Sequence, residues 1–223
     1  MIFTDILLTG ALIFYVFCVF YTLKFVYEFM INRGIDKDSA IYYDRKMVHI
    51  FAGGVTAYFI TFYHSYWYPL LAGILLTIIT YISHKRGSKL YWFQTNNDLN
   101  DVNFCLMWGI SITFLWIITS NPWVAIIPAV FMSFGDGITG VIRNIFYKKR
   151  CKHPIGNVFM ALICIPIGYA LGAQGSIPVG GAIAGLIASI AERYECGLFD
   201  DNVFITVSTT LFILIYYYSG LQF

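Results

Sequence analysis

ILLTGALIFYVFCVFYTLKFVY, residues 6–27, decides which solvent this chain folds in. These twenty-two positions carry one charge, Lys24, near the end of the run. As an α-helix they would extend about 33 Å, enough to cross the roughly 30 Å hydrocarbon core of a bilayer. Seven further apolar runs follow: Met47 to Tyr63, Tyr66 to Ile82, Val102 to Ile118, Trp123 to Ile142, Val158 to Ala173, Ile177 to Ala191, and Val203 to about Ser219. Polar or charged residues bound each run. The sixth and seventh are short for full spans, and Pro166 and Pro178 with their neighbouring glycines fit either a kinked pair or one re-entrant hairpin.

Composition agrees. Of 223 residues 59% are hydrophobic and 12% charged, against about 25% charged in soluble domains, and mean hydropathy is +0.71. The runs take up nearly all the length, so the expectation is a single all-α, polytopic membrane helix bundle over residues 1–223, with about eight transmembrane helices (seven if the short pair is re-entrant). Met1 leads directly into the first run without a basic region or a small-residue cleavage site, so that run is expected to be retained. Cys18, Cys105, Cys151, Cys164 and Cys196 show no metal-ligand spacing and read as small apolar side chains.

Lysine and arginine accumulate in cytosolic loops. Arg33, Lys37, Arg45 and Lys46 fall in one loop, Lys85, Arg86 and Lys89 in the next alternate one, and Arg143, Lys148, Lys149, Arg150 and Lys152 in the one after, with Arg193 in a fourth. The turns between them, near His64, 119–122 and 174–176, lack Lys, Arg, Asp and Glu. Both termini are therefore expected on the non-cytosolic side. The acidic residues other than Asp5 follow the same geography.

Three polar constellations stand out on that cytosolic side. The first is Ser133-Phe134-Gly135-Asp136-Gly137-Ile138-Thr139-Gly140, followed by Arg143 and Lys148 to Pro154. A carboxylate inside an apolar run is costly unless it is paired or functional. On a straight helix Asp136 lies about 10 Å from the basic loop, at headgroup depth. A Mg²⁺ ion could bridge it to phosphate oxygens, with the glycines admitting close approach; helix packing and a simple ion pair are the plainer alternative. The second is Asp44-Arg45-Lys46-Met47-Val48-His49. Arg45 and His49, four apart, share a helical face, while Lys46 is expected to point elsewhere. The third is Glu192-Arg193-Tyr194-Glu195 with Asp200-Asp201-Asn202, where Asp200 and Asp201 could hold a metal and Asp201 or Asn202 could cap the last helix.

Taken together, Arg45-Lys46-x-x-His49, Gly135-Asp136-Gly137 with Gly140, and Asp200-Asp201-Asn202 preceded by Glu192 resemble the integral-membrane polyprenol kinases, a family that includes dolichol kinase, phytol kinase and the CTP-dependent diacylglycerol kinase of fungi. The resemblance runs from the second apolar run to the end of the chain. It implies phosphorylation of a long-chain isoprenoid alcohol or a related lipid alcohol, with CTP as phosphate donor, Mg²⁺ as cofactor and the active site facing the cytosol. Asp136, Lys152, Arg45 and His49 are then the catalytic candidates. Gly135, Gly137, Gly140, Arg143, Lys46, Lys149, Gly156 and Asn202 would contact the nucleotide, and Asp136, Asp200 and Asp201 the metal. The basic loop departs from the family pattern: Lys152-His153-Pro154-Ile155-Gly156-Asn157 lacks the usual serine after lysine, so Lys152 and Gly156 carry over and His153 inherits no role. The partners expected are a lipid alcohol and a nucleotide, not a nucleic acid. Two other functions fit parts of the pattern: a CTP-dependent cytidylyltransferase making a CDP-activated lipid, from Gly-Asp with Arg143, Lys149 and Arg150, and a lipid or isoprenoid carrier. No inverted repeat or mid-membrane polar feature marks a carrier.

Overall fold

The computed structural model describes residues 2–87, 90–95, 98–147 and 151–220. Every regular element among them is helical. The helices are α1 (Ile2–Asn32), α2 (Lys37–Val48), α3 (Trp67–Lys85), α4 (Asn100–Thr119), α5 (Pro122–Tyr147), α6 (Pro154–Ala173), α7 (Pro178–Ala191) and α8 (Asp201–Tyr218). The α2 rod does not stop at Val48 but continues through His49–Gly54 and Val55–Phe59. Five helices, α1, α3, α4, α5 and α6, are long and apolar enough to cross a membrane.

Local chemistry sets the helix starts. Proline, whose missing N–H costs nothing in the first turn, opens α5, α6 and α7. Side chains cap four helices: Asp36 accepts from the N–H groups of Asp38 and Ser39, Asn121 from Trp123 and Val124, His153 from Ile155, and Asp200 from Val203. Gly34 ends α1 at φ +81°, a conformation that favours glycine.

The sixth and seventh apolar runs form two separate antiparallel helices. Their backbones approach so closely that a Cβ on Gly168 would lie 2.1 Å from the Gly181 carbonyl oxygen, and one on Gly181 would lie 2.0 Å from that of Gly168. Small residues permit this contact, as they do between packed apolar helices in general. Helix α1 is the opposite case. Only 6% of its apolar window is buried, and Phe14 and Phe17 are each 70% exposed, as suits a helix whose outer face meets lipid rather than water. Its N-terminal end is fastened by Asp5, which accepts from His64 Nδ1 at 2.8 Å.

Two widened, π-helical turns lie at the centre of the bundle, His49–Gly54 in the α2 rod and Phe131–Gly135 in α5. They pack on each other because Gly53 and Gly54 carry no side chain: a Cβ on Gly53 would strike Phe104 and the Ser133 hydroxyl, and one on Gly54 would strike Phe134. Such turns often lie at functional sites. Here each is adjacent to a residue of the polar centre, His49 at the start of one and Asp136 just after the other.

Asp44 lies on α2 outside the apolar run and is wholly buried, with no hydrogen-bond partner for either oxygen among the described residues. Burial pushes its carboxyl up from 3.8 to about 8. The folded protein then holds a proton that the unfolded chain releases, so this residue's contribution to stability falls as pH rises from 3.8 through about 8. Asp44→Asn is expected to raise the unfolding midpoint in detergent at pH 8 relative to the parent and to leave it nearly unchanged at pH 4. A lower midpoint at pH 8 would mean that the carboxylate has a partner.

Candidate functional site

The polar centre is built where α2, α5, α7 and α8 meet. Asp136, 1% exposed, accepts both oxygens' worth of hydrogen bonds from Lys46 Nζ at 2.6 Å. His49 adds its Nδ1, 3.2 Å from Asp136 Oδ2. Because an ionised carboxylate only accepts, this contact assigns the His49 proton to Nδ1. The imidazole is stacked on Phe104 with centroids 3.9 Å apart, and its buried Nε2 has no partner among the described residues.

Beside this pair lies a second ion cluster. Arg143 from α5 donates Nη1 and Nη2 to the two oxygens of Glu192, at 2.6 and 2.9 Å, and Nε to the His153 carbonyl at 2.9 Å. The paired donors make the planar fork that suits guanidinium and carboxylate. Asn157 also donates to Glu192, at 3.0 Å. Lys152 reaches Asp201 Oδ2 at 2.5 Å, the Glu192 carbonyl at 2.8 Å and Glu192 Oε1 at 3.2 Å. Burial works against the charge of Lys152, but Asp201 and Glu192 outweigh it and raise its pKa above the ordinary lysine value.

Asp136, Glu192 and Asp201 can each offer an oxygen within 4.8 Å of the others. Carboxylate oxygen is the donor type Mg²⁺ takes. The buried Asn202 Oδ1, unpartnered among the described residues, lines the same cleft. The residues therefore fit a divalent cation in ligand type. The void within the cleft measures about 10 Å³, room for one water or one ion.

Most of the residues expected from the sequence gather here, with several corrections. Lys46, expected to point away, is the principal partner of Asp136. Arg45 lines the same cleft but forms its ion pair with Asp98, at 3.1 Å. Asp200 lies outside the three-carboxylate group. Its extended backbone, φ −88° and ψ −177°, makes it the N-cap of α8, displacing Asp201 and Asn202 from that role, and it accepts from Asn202 Nδ2 at 2.8 Å. Burial, then the neighbouring charge of Asp201, pushes its carboxyl up to about 7. The glycines make room for side chains. A Cβ on Gly140 would strike the Lys46 stem, one on Gly156 the Arg143 guanidinium, one on Gly137 Ile50, and one on Gly135 Cys164 and Met160. Lys149 lies outside the described residues. Sequence reading omitted Glu192 from the metal set and gave Asn157 no role. The available signal was that both follow the same pattern as their neighbours, an acidic or amide residue at a helix end on the basic side.

No protein-family model, curated protein or solved structure matches this chain.

Proposed function

We propose that the chain is an integral-membrane lipid kinase that transfers phosphate from CTP to the hydroxyl of a long-chain isoprenoid alcohol at the cytosolic membrane face. The observation that carries this reading is convergence: Lys46 and His49, Asp136, and Glu192 with Asp201 come from three distant stretches of sequence and meet in one cleft. With all eight helices crossing, both termini lie outside and the cleft opens among the basic loops on the cytosolic side. That boundary is where an insoluble alcohol and a water-bound polyanion can meet.

Phosphoryl transfer asks for positioning and for positive charge around the transferred group. Lys152 and Arg143 supply positive charge at the cleft, Lys152 with its side chain 23% exposed. Mg²⁺, held by Asp136, Glu192 and Asp201, would neutralise charge developing on the phosphate oxygens. His49 Nε2, unpartnered while Nδ1 is tied to Asp136, is free to receive the hydroxyl proton. The void is small, so side chains that line the cleft would have to part before a nucleotide enters.

The test uses protein in sealed vesicles, with Arg86→Cys, in a background whose native cysteines are replaced, reporting which way each molecule faces. CTP labelled at the γ-phosphate and added outside should label a polyprenol-type alcohol in vesicles whose Arg86 loop faces out. Absence of labelled lipid across farnesol-sized, phytol-sized and dolichol-sized acceptors would remove the kinase reading, and labelling confined to the opposite orientation would reverse the topology.

A further inference from the structure

The cleft contains its own cations. Three carboxylates, Asp136, Glu192 and Asp201, face three basic groups, Lys46, Arg143 and Lys152, so the described cluster is electrically balanced before any metal arrives. A divalent cation added to a balanced cluster meets like charge at close range. One of the three basic groups must therefore move for the metal to bind.

The three differ in freedom. Arg143 is anchored by donors to Glu192, Asn157 and the His153 carbonyl and is 2% exposed. The side chain of Lys46 is 6% exposed, and its stem is closely flanked by Gly140 and its ammonium lies over the Tyr42 ring at 5.4 Å. Lys152 lies before α6, outside any helix, with a side chain 23% exposed. Its ammonium touches three oxygens, one from Asp201 and two from Glu192, as a bound cation would. Asn202, a residue 1% exposed that lines the same cleft, has an unpartnered Oδ1 among the described residues, a further acceptor that the lysine leaves unused.

We propose that Lys152 is a tethered counter-ion that occupies the divalent-cation position between Glu192 and Asp201 and leaves it only when a nucleotide triphosphate offers its ammonium a new anion. Building on the kinase reading, this makes metal and nucleotide bind together and keeps the metal alone out. A released Lys152 turns from a carboxylate partner into a phosphate contact, which links loading of the site to arrival of the donor.

The full chain, purified in detergent, is titrated with Mn²⁺ as the divalent probe, and free Mn²⁺ is read by electron paramagnetic resonance. The parent protein is expected to bind Mn²⁺ alone weakly, and at least about tenfold more tightly with CTP present. Lys152→Gln should bind Mn²⁺ alone at least about tenfold more tightly than the parent, since a unit charge a few ångströms away is removed. Lys152→Arg should behave like the parent, and adding Asp201→Asn to Lys152→Gln should abolish the gain. Equal Mn²⁺ affinity in parent and Lys152→Gln, or a gain that survives Asp201→Asn, overturns the proposal. Tight Mn²⁺ binding by the parent without nucleotide also overturns it, and needs no variant to fold. If the Lys152→Gln gain holds but CTP does not raise Mn²⁺ affinity in the parent, the counter-ion assignment stands and it is the nucleotide reading that fails.

Discussion

Asp136→Asn is expected to lower turnover at least about a hundredfold, the low end of what removing a charge-stabilising or proton-transfer group costs an enzyme. The variant keeps the size of the side chain but loses its charge and turns one of its two acceptor oxygens into a donor. It will also be less stable, because Lys46, its side chain 6% exposed, is left with a buried ammonium and no carboxylate. Breaking one side of a buried pair costs about 3–5 kcal/mol. The two effects separate in a double variant. Adding Lys46→Met removes the orphaned charge, so the unfolding midpoint should recover while turnover per folded, monodisperse molecule stays low. If Asp136 serves only to pair with Lys46, the double variant will instead recover both, and the carrier reading gains.

Glu192→Gln should give the largest loss of stability of any single conservative change in the site. Glu192 accepts from Arg143, Lys152 and Asn157, and Arg143 is almost fully buried. The amide removes the negative charge and turns one acceptor into a donor facing donors, again a loss of about 3–5 kcal/mol. Asp201→Asn offers the internal comparison. Its partner Lys152 has a side chain 23% exposed and can turn toward water, so the loss there should be markedly smaller. Thermal unfolding of both variants in one detergent reads the ranking. A Glu192→Gln protein as stable as the parent would mean that the fork between Arg143 and Glu192 does not form.

Much of the fold was legible because long, nearly uncharged apolar runs read directly as helices. The run from Ile6 to Tyr27 falls inside α1, Ile2–Asn32, and the run from Trp123 to Ile142 falls inside α5, Pro122–Tyr147. In both cases the helix continues past the apolar run into polar flanks that hydropathy does not register. The two widened turns were not legible. Glycine pairs such as Gly53-Gly54 signal close packing in general, here against Phe104 and Phe134, and carry no sign of a widened turn.

The site shows the same division. Asp136, His49, Lys152 and Asp201 were marked by charge in or beside apolar runs and by family resemblance. Lys46 was misread because spacing alone does not choose between neighbours. Residues three apart share a helix face as residues four apart do, so Lys46 shares a face with His49 and meets Asp136, while Arg45 pairs with Asp98, far along the chain. Asp200 was misassigned because an N-cap is chosen by backbone conformation, and Asp200, Asp201 and Asn202 are equally good caps by chemistry.

The proposed reaction is transfer of a terminal phosphate to a lipid alcohol by this carboxylate and lysine cluster. Its most direct test supplies purified protein with a polyprenol-type alcohol, Mg²⁺ and CTP labelled in separate reactions at the γ- and the α-phosphate, followed by extraction of the lipid product. The expected product is a lipid phosphomonoester carrying only the γ label. In a parallel reaction with a polyprenyl monophosphate as acceptor, the α label entering the lipid as a CDP-lipid, with release of pyrophosphate, would contradict it and make the chain a cytidylyltransferase.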